Sequence, residues 1–180
     1  MHKSYSSEGI VLYKKNHGEA DRVLVIYSKH YGQLRLLAKG VRKPKSRKRG
    51  HLEVFSHIKF SASALNGIDL ITEVETMDAF DEVRLDLRRV SVAYYLCEVL
   101  GKLTRDGEKN EKVFSSALTF LKSLRESSNL KKLRKQFVFD VLVDLGFWSE
   151  HETMTDPDSV MENITERKIN SIRVGRALLV

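Results

Sequence analysis

Short runs of β-branched and aromatic residues, several of them alternating with polar residues, fill the first 78 residues of the chain. Such runs are typical of strands, and they span residues 10–13, 22–27, 33–38, 52–60 and 68–74. Gly18, Gly32 and the pair Asn66-Gly67 lie between them as turn residues. No helix of ordinary length fits among these runs. Five short strands in so short a segment predict a small barrel, for which a five-stranded barrel of the oligonucleotide-binding (OB) type is one natural solution.

The pattern changes after Asp78, where apolar residues begin to recur at the spacing of a helix. Three long helices are predicted, at residues 83–103, 110–126 and 129–145. Asn129 is a plausible N-cap of the third helix and Gly146 a plausible stop. Two weaker segments, 156–163 and 165–179, are predicted as shorter helices. We therefore expect an α+β chain in which an OB-type barrel at 1–78 precedes an all-helical domain at 79–180.

The excess charge of the chain is concentrated in one segment. The formal net charge is +7, and residues 39–49 alone hold seven basic residues and no acid, so the remainder of the chain is neutral. The seven cations are Lys39, Arg42, Lys43, Lys45, Arg47, Lys48 and Arg49. A charge excess held in one segment indicates a binding site for a polyanion, and nucleic-acid phosphate is the leading candidate.

This segment, which we call the basic loop (residues 39–49), follows a predicted strand and contains Gly40 and Pro44, as is typical of loops. A basic loop beside a small barrel can follow a phosphate backbone, while aromatic rings on the strands can stack on bases. The strand residues that complete the candidate site are Lys14, Lys15, Arg22, Arg35, Tyr13 and Tyr27. The alternative interpretation is a solvated charged loop, or a site for another acidic partner.

A second group of cations flanks Leu130 and Leu133 at the start of the third predicted helix. We call this group the helix patch, and its cations are Lys131, Lys132, Arg134 and Lys135. One interpretation is an ordinary exposed helix face. The other is a mixed basic and apolar surface that captures an acidic, hydrophobic peptide tail.

The sequence contains no arrangement of residues typical of an enzyme. Its six histidines are scattered, and it has neither a glycine-rich phosphate loop nor an HExxH helix. The acids between Asp69 and Asp81 are better explained by a strand end and a helix start, where carboxylates favour the helix N-terminus. The single cysteine, Cys97, lies on an apolar helix face and excludes an intrachain disulfide. We therefore predict a protein that is not an enzyme and needs no metal and no cofactor.

Two absences bear on the location of the protein. No apolar run approaches the roughly 20 residues that cross a bilayer. The first residues also lack the apolar centre of a secretory signal. We therefore expect a soluble, cytoplasmic protein that does not bind membranes.

Several short motifs follow one another in a recognisable order. They are GIVL at 9–12, GEADRV at 18–23, YGQLR at 31–35, KGVRKPKS at 39–46, RGHLEVFS at 49–56, AYYLCE at 93–98 and the stretch from Phe137 to Phe147. The two motifs at 39–46 and 49–56 are the most specific. Together the motifs cover roughly residues 5–147, and they resemble the bacterial recombination mediator family RecO.

The resemblance implies an OB barrel followed by a helical domain in a non-enzymatic DNA repair protein. It implies binding of single- and double-stranded DNA and annealing of complementary strands. It also implies that, with the partner RecR, the protein loads RecA onto strands coated by single-stranded-DNA-binding protein. DNA association would place such a protein at the nucleoid.

The same resemblance assigns roles to residues. It places Lys39, Arg42, Lys43 and Lys45 on the family's basic barrel loop, which Arg47, Lys48 and Arg49 extend. Family members dock the acidic tail of single-stranded-DNA-binding protein on the helical domain, and the helix patch is our hypothesis for that contact. The chain departs from the family after Gly146-Phe147, where many members carry a four-cysteine zinc module. No cysteine follows Trp148, and the tail to Val180 is shorter than expected, so we expect no zinc.

Three other functions stay open from the residues alone. One is an OB-fold RNA-binding protein that acts in translation or RNA handling, which would use the 2′-hydroxyl of RNA. Another is a protein adaptor whose loop holds an acidic partner. The weakest is a nuclease, which would show metal-dependent cleavage.

Overall fold

A computed structural model describes residues 4–166 and 169–171 of the chain, and five strands form a closed barrel in its first part. The strands are β1 (Ser4–His17), β2 (Asp21–Ser28), β3 (Gly32–Ala38), β4 (His57–Ser63) and β5 (Asp69–Asp78). Their order around the barrel is β1-β2-β3-β5-β4, and β4 pairs with β1. A closed five-stranded barrel followed by helices confirms the predicted OB-type, β-then-α fold class.

The length of β1 allows it to pair with two neighbours. Its first half, Ser4 to Ile10, pairs with β4, and its second half, Gly9 to His17, pairs with β2. The register with β2 shifts between Val11 and Tyr13, which bends the strand where it changes partner. The barrel closes through two parallel pairs between β3 and β5.

Alternate residues of the strands fill the barrel. The buried cluster consists of Val11, Leu24, Ile26, Leu36, Ala38, Val41, Leu52, Ile58, Phe60, Ala62 and Ile71. Two of its members, Val41 and Leu52, lie outside the strands. The predicted strand at 52–60 begins only at His57, because the backbone turns at Phe55, which has a φ of 58°. Burial of these side chains away from water is the main favourable contribution to the free energy of folding of the barrel.

In the described part of the chain, five helices follow the barrel. They are α1 (Asp81–Arg84), α2 (Leu87–Leu103), α3 (Glu111–Ser123), α4 (Leu130–Asp144) and α5 (Pro157–Thr165), and one 3₁₀ turn at Arg49–His51 lies in the earlier part. The predicted helix at 83–103 is interrupted, because the Asp86 carboxylate accepts from the Arg88 amide at 2.9 Å and starts a new helix. Asn129 caps α4 as predicted, since its side chain accepts from the Lys132 amide at 2.9 Å.

The chain divides into two compact units. One consists of residues 1–79 and 104–110, and the other of residues 80–103 and 111–180. Whether residues 1–78 and 79–180 fold as separate domains stays a prediction. None of the helices in the described residues combines the length and the apolar composition that a membrane span requires. Most of the predicted helix at 165–179 lies outside the described residues.

Candidate nucleic-acid interface

The basic loop is held to the barrel at its start. Gly40 has a φ of 65°, a backbone conformation that favours glycine, and its amide donates to the Asp21 carboxylate at 2.7 Å. The next residue, Val41, is fully buried in the barrel core. The loop therefore leaves the barrel along a fixed path.

Further bonds attach the loop to the turn between β1 and β2. The amide of Arg42 donates to the carbonyl of Ala20 at 2.8 Å, and its guanidinium donates to the carbonyl of Gly18 at 3.2 Å. Successive short turns follow, with backbone bonds from Lys43 to Gly40 and from Ser46 to Lys43. These bonds give the loop an ordered backbone, so its charges are presented from defined positions.

Most cations of the basic loop are exposed. Lys39, Arg42, Lys43, Lys45, Arg47 and Arg49 are exposed, while Lys48 is half-buried and its ammonium donates to the Ile71 carbonyl at 2.8 Å. Among the described residues, none of the seven cations has a carboxylate partner within 4.0 Å. Unpaired like charges at this density attract a polyanion and repel one another in its absence.

The outer face of the sheet formed by β1, β2 and β3 lies next to this loop. The strand register aligns two rows across this face, Tyr13–Val25–Arg35 and Lys15–Val23–Leu37. Tyr13 is 57% exposed, and Lys15 and Arg35 are exposed too. An apolar strip with an open aromatic ring and cations on both sides suits stacking of bases and pairing with phosphates. No separate sequence signal pointed to Val23, Val25 and Leu37, because half-exposed valine and leucine resemble core residues in a strand pattern.

Two of the predicted cations have an acidic partner on the barrel. Glu53 forms an ion pair with Lys14 and lies 3.8 Å from the Arg22 guanidinium. Both cations are partly buried, and Lys14 pairs across the sheet with Leu24, whose side chain fills the core. Lys14 and Arg22 are thus on the inner side of the sheet, at one end of the barrel, rather than beside Tyr13.

The prediction that Tyr27 contacts nucleic acid is wrong. Its side chain is fully buried, so no ring face is open to a base. The hydroxyl donates to the carbonyl of Asn110 at 3.3 Å. Burial, together with the charge of Glu108, raises the pKa of Tyr27 to about 12. Tyr27 therefore contributes to the barrel, and Tyr13 is the aromatic residue of the pair that is open to solvent.

The other side of the barrel has a different charge. The outward residues of β4 and β5 include Lys59, which pairs across the strands with both Glu8 and Glu75. Glu73 and Glu75 are exposed there. Carboxylates on this side disfavour an approaching phosphate backbone, so the charge pattern directs a polyanion to the β1–β2–β3 face and the basic loop.

The helix patch is only partly available. Arg134 forms an ion pair with Asp158 and lies over the Tyr95 ring at 4.1 Å, while the Tyr95 hydroxyl donates to Asp158 at 2.7 Å. Burial and the neighbouring Asp158 raise the pKa of Tyr95 above its usual range. This network ties α2, α4 and α5 together, so Arg134 stabilises the helical unit.

The three lysines of the helix patch line an open groove. Its volume is about 730 Å³, and Phe139, Met154 and Pro157 supply its apolar wall. Glu150 and Glu152 lie on the same groove. Lys131, Lys132 and Lys135 are exposed, so the groove joins positive charge to apolar surface as the helix-patch hypothesis requires.

Metal ligands are not grouped in the described part of the chain. No set of three histidine, cysteine or carboxylate side chains there could hold a metal ion. Cys97 is buried in α2, consistent with packing rather than ligation.

Two family models match the chain. The model described as "Recombination protein O N terminal" matches residues 1–80, and the model described as "Recombination protein O C terminal" matches residues 84–149. The first range contains the barrel strands and the basic loop. The second contains α2, α3 and α4.

Curated proteins are similar over the same region. The DNA repair protein RecO of Pelotomaculum thermopropionicum is 33% identical over 145 residues, which are 81% of this chain and 56% of that protein. The protein of the same name from Desulforamulus reducens is 38% identical over 113 residues, 63% of this chain and 44% of that protein. The chain spans about half the length of the curated relatives it matches.

Proposed function

The chain belongs to the RecO family of DNA repair proteins, and on that premise we propose that its barrel binds single- and double-stranded DNA and anneals complementary strands. The basic loop follows the phosphate backbone, and the β1–β2–β3 face receives bases of a single strand. Binding of DNA at these positions would place the protein at the nucleoid in the cytoplasm. The proposed activity involves no bond chemistry and needs neither a nucleotide nor a metal.

The observation that carries this proposal is the set of loop cations without acidic partners. Annealing requires a surface that neutralises two repelling backbones while leaving bases free to pair. The side chains of Lys43, Lys45 and Arg47 project from an ordered loop, and none of them makes an internal hydrogen bond or ion pair among the described residues. They are therefore available to phosphates without any cost to the barrel.

The sheet face adds contacts that suit a single strand. Tyr13 offers an open ring, and stacking of one base on such a ring is worth roughly 1–3 kcal/mol. Lys15 lies two residues further along β1 on the same face. A duplex hides its bases, so this face favours single strands, whereas the basic loop serves both forms of DNA.

Partners complete the proposed role. We propose that the groove of Lys131, Lys132 and Lys135 binds the acidic tail of single-stranded-DNA-binding protein. With RecR, the protein would then help to load RecA onto strands coated by that protein. The support is the pairing of basic and apolar surface in one groove, since an acidic, hydrophobic peptide needs both.

A fluorescence assay of strand annealing tests the main proposal. Two complementary labelled strands at low salt should pair faster with the protein than without it, in the absence of ATP and with chelator present. The same assay on strands coated with single-stranded-DNA-binding protein, with and without RecR, tests the partners. Annealing at the uncatalysed rate would contradict the proposal.

A competition between DNA and RNA of one sequence separates the proposal from the RNA-binding alternative. RNA differs at each sugar by the 2′-hydroxyl, which a dedicated RNA site would use. We expect DNA to compete at least as well as RNA for the labelled single strand. A marked preference for RNA would favour a role in RNA handling.

A further inference from the structure

A short segment of the chain covers one end of the proposed DNA-binding face. Residues 104–110, which we call the strap, lie between α2 and α3 in the sequence but belong to the barrel unit. The Gly107 amide donates to the Gln33 carbonyl at 3.0 Å, so the strap continues the hydrogen bonding of the β3 edge. Gln33 is almost fully buried, and its side chain accepts from Thr104 at 3.1 Å.

The strap is fixed at two further points. The Asn110 carbonyl accepts from the Tyr27 hydroxyl. Gly32 has a φ of 66°, and a Cβ there would lie 2.3 Å from the Glu108 carbonyl oxygen. Only glycine lets the strap approach so closely. The strap is therefore an integral part of the barrel unit. It covers the outer face of the sheet at the row that contains Tyr27 and Gln33.

Asp106 is the residue by which the strap meets the open part of the face. One carboxylate oxygen accepts from the Gln33 amide at 3.0 Å, and the other lies 3.2 Å from Nε of Arg35. Arg35 belongs to the same row as Tyr13 and Val25. Both Arg35 and Asp106 are more than half exposed, so an incoming phosphate can reach the guanidinium.

We propose that Asp106 is an internal anionic competitor for Arg35, which a backbone phosphate must displace from the end of the DNA-binding face. A carboxylate and a phosphate oxygen bind a guanidinium in similar ways, so occupancy by one excludes the other. The Arg35–Asp106 ion pair lowers the affinity of the sheet face for DNA, because it must break before a phosphate can bind Arg35. It also limits single-stranded DNA to the rows between the strap and the basic loop. This inference rests on the proposed function.

Binding of a labelled oligothymidylate, followed by fluorescence anisotropy across a salt series, tests it. Asp106→Asn keeps the acceptor for Gln33 but removes the charge that holds Arg35. We expect this variant to bind about threefold more tightly, the size expected for loss of one exposed ion pair. The Arg35–phosphate contact forms in both proteins once Asp106 is displaced, so the dependence of log affinity on log salt should change by less than the roughly 0.7 of one whole phosphate contact on a single strand.

Two further variants make the result specific. Glu73→Gln makes the same change in net charge on the other side of the barrel, and we expect binding close to that of the wild type. In an Arg35→Gln background, Asp106→Asn should have no effect, because the cation for which the two anions compete is gone. Circular dichroism checks that each variant is folded.

The outcomes separate the inference from the proposed function. If the wild type binds the oligonucleotide but Asp106→Asn behaves as Glu73→Gln does, the inference is wrong and the proposed function stands. An equal gain from Asp106→Asn with or without Arg35 also overturns it, since the effect would then be a general charge effect. If the wild type does not bind at all, both fail.

Discussion

The basic loop and the helix patch hold seven and four cations, and the two regions differ in whether a carboxylate already binds one of those cations. In the loop, the backbone makes the internal bonds and the charged side chains stay open, except for Arg42 and Lys48, which donate to carbonyls. In the helix patch, Arg134 is bound by Asp158 and Tyr95. A cation without a neighbouring carboxylate is open to a polyanion, whereas a cation bound by one stabilises the fold.

The largest effect is expected when the open cations of the basic loop are removed. Replacing Lys43, Lys45 and Arg47 by alanine should weaken binding to single-stranded DNA by about a hundredfold at 0.1 M salt, because three phosphate contacts are lost. The salt dependence of log affinity should fall by about 2. Anisotropy across a salt series measures both quantities.

The helix patch supplies the matched control. Replacing Lys131, Lys132 and Lys135 by alanine removes the same number of charges, but should change DNA affinity far less while reducing binding of an acidic tail peptide. An equal loss of DNA binding in the two triple variants would end the distinction between the two regions.

The partner of Arg134 gives the second largest effect. Asp158→Ala leaves the guanidinium and the Tyr95 hydroxyl without their common acceptor, so we expect the free energy of unfolding to fall by about 2–3 kcal/mol. Urea denaturation followed by circular dichroism measures it. The conservative change Tyr95→Phe removes one hydrogen bond and should cost about 1 kcal/mol. If Asp158→Ala leaves the free energy of unfolding unchanged, the Arg134–Asp158 contact does not stabilise the helical unit, and Arg134 belongs with the open lysines of the helix patch.

The attachment of the loop to the barrel is the third test. Val41 is fully buried, so Val41→Ala should lower the free energy of unfolding by about 2 kcal/mol. DNA affinity should fall too, although no charge changes, because the loop loses its anchor. Ile68→Ala, at a position that is 44% exposed, serves as the control and should change stability by less than about 0.5 kcal/mol. Unchanged DNA binding by a destabilised Val41→Ala variant would show that the loop acts without that anchor.

The smallest expected effect concerns Tyr27, the buried aromatic residue of the barrel. The pKa of Tyr27 is raised from 10.0 to about 12, so the fold favours the neutral phenol. The resulting stability is fully present below pH 10 and is lost as pH rises through about 12. Tyr27→Phe should therefore show a shallower loss of stability over this range, with DNA binding at neutral pH unchanged. Denaturation at several alkaline pH values measures the slope, and parallel slopes would contradict the buried state of Tyr27.

The sequence was most informative where one local signal sufficed. Periodicity predicted the order of strands and helices, and Asn129 and Gly146 marked the ends of α4 because caps depend on a few neighbouring residues. Asp86, the residue directly before α2, interrupts the predicted helix at 83–103 through a local cap that the apolar periodicity concealed. The sequence was less informative where the outcome depends on distant residues, as in the parallel pairs of β3 with β5, which join positions more than thirty residues apart.

The candidate site divides in the same way. The composition of residues 39–49 by itself determined where the excess charge lies, since seven cations without an acid cannot be neutralised locally. Only the tertiary structure decided which predicted residues stay open. Glu53 pairs with Lys14, Asp106 lies against Arg35, and the strap buries Tyr27. Each of these contacts joins residues more than twenty positions apart. The physical reason is that a residue's chemistry is fixed by its side chain, whereas its solvation and its partner are fixed by the fold.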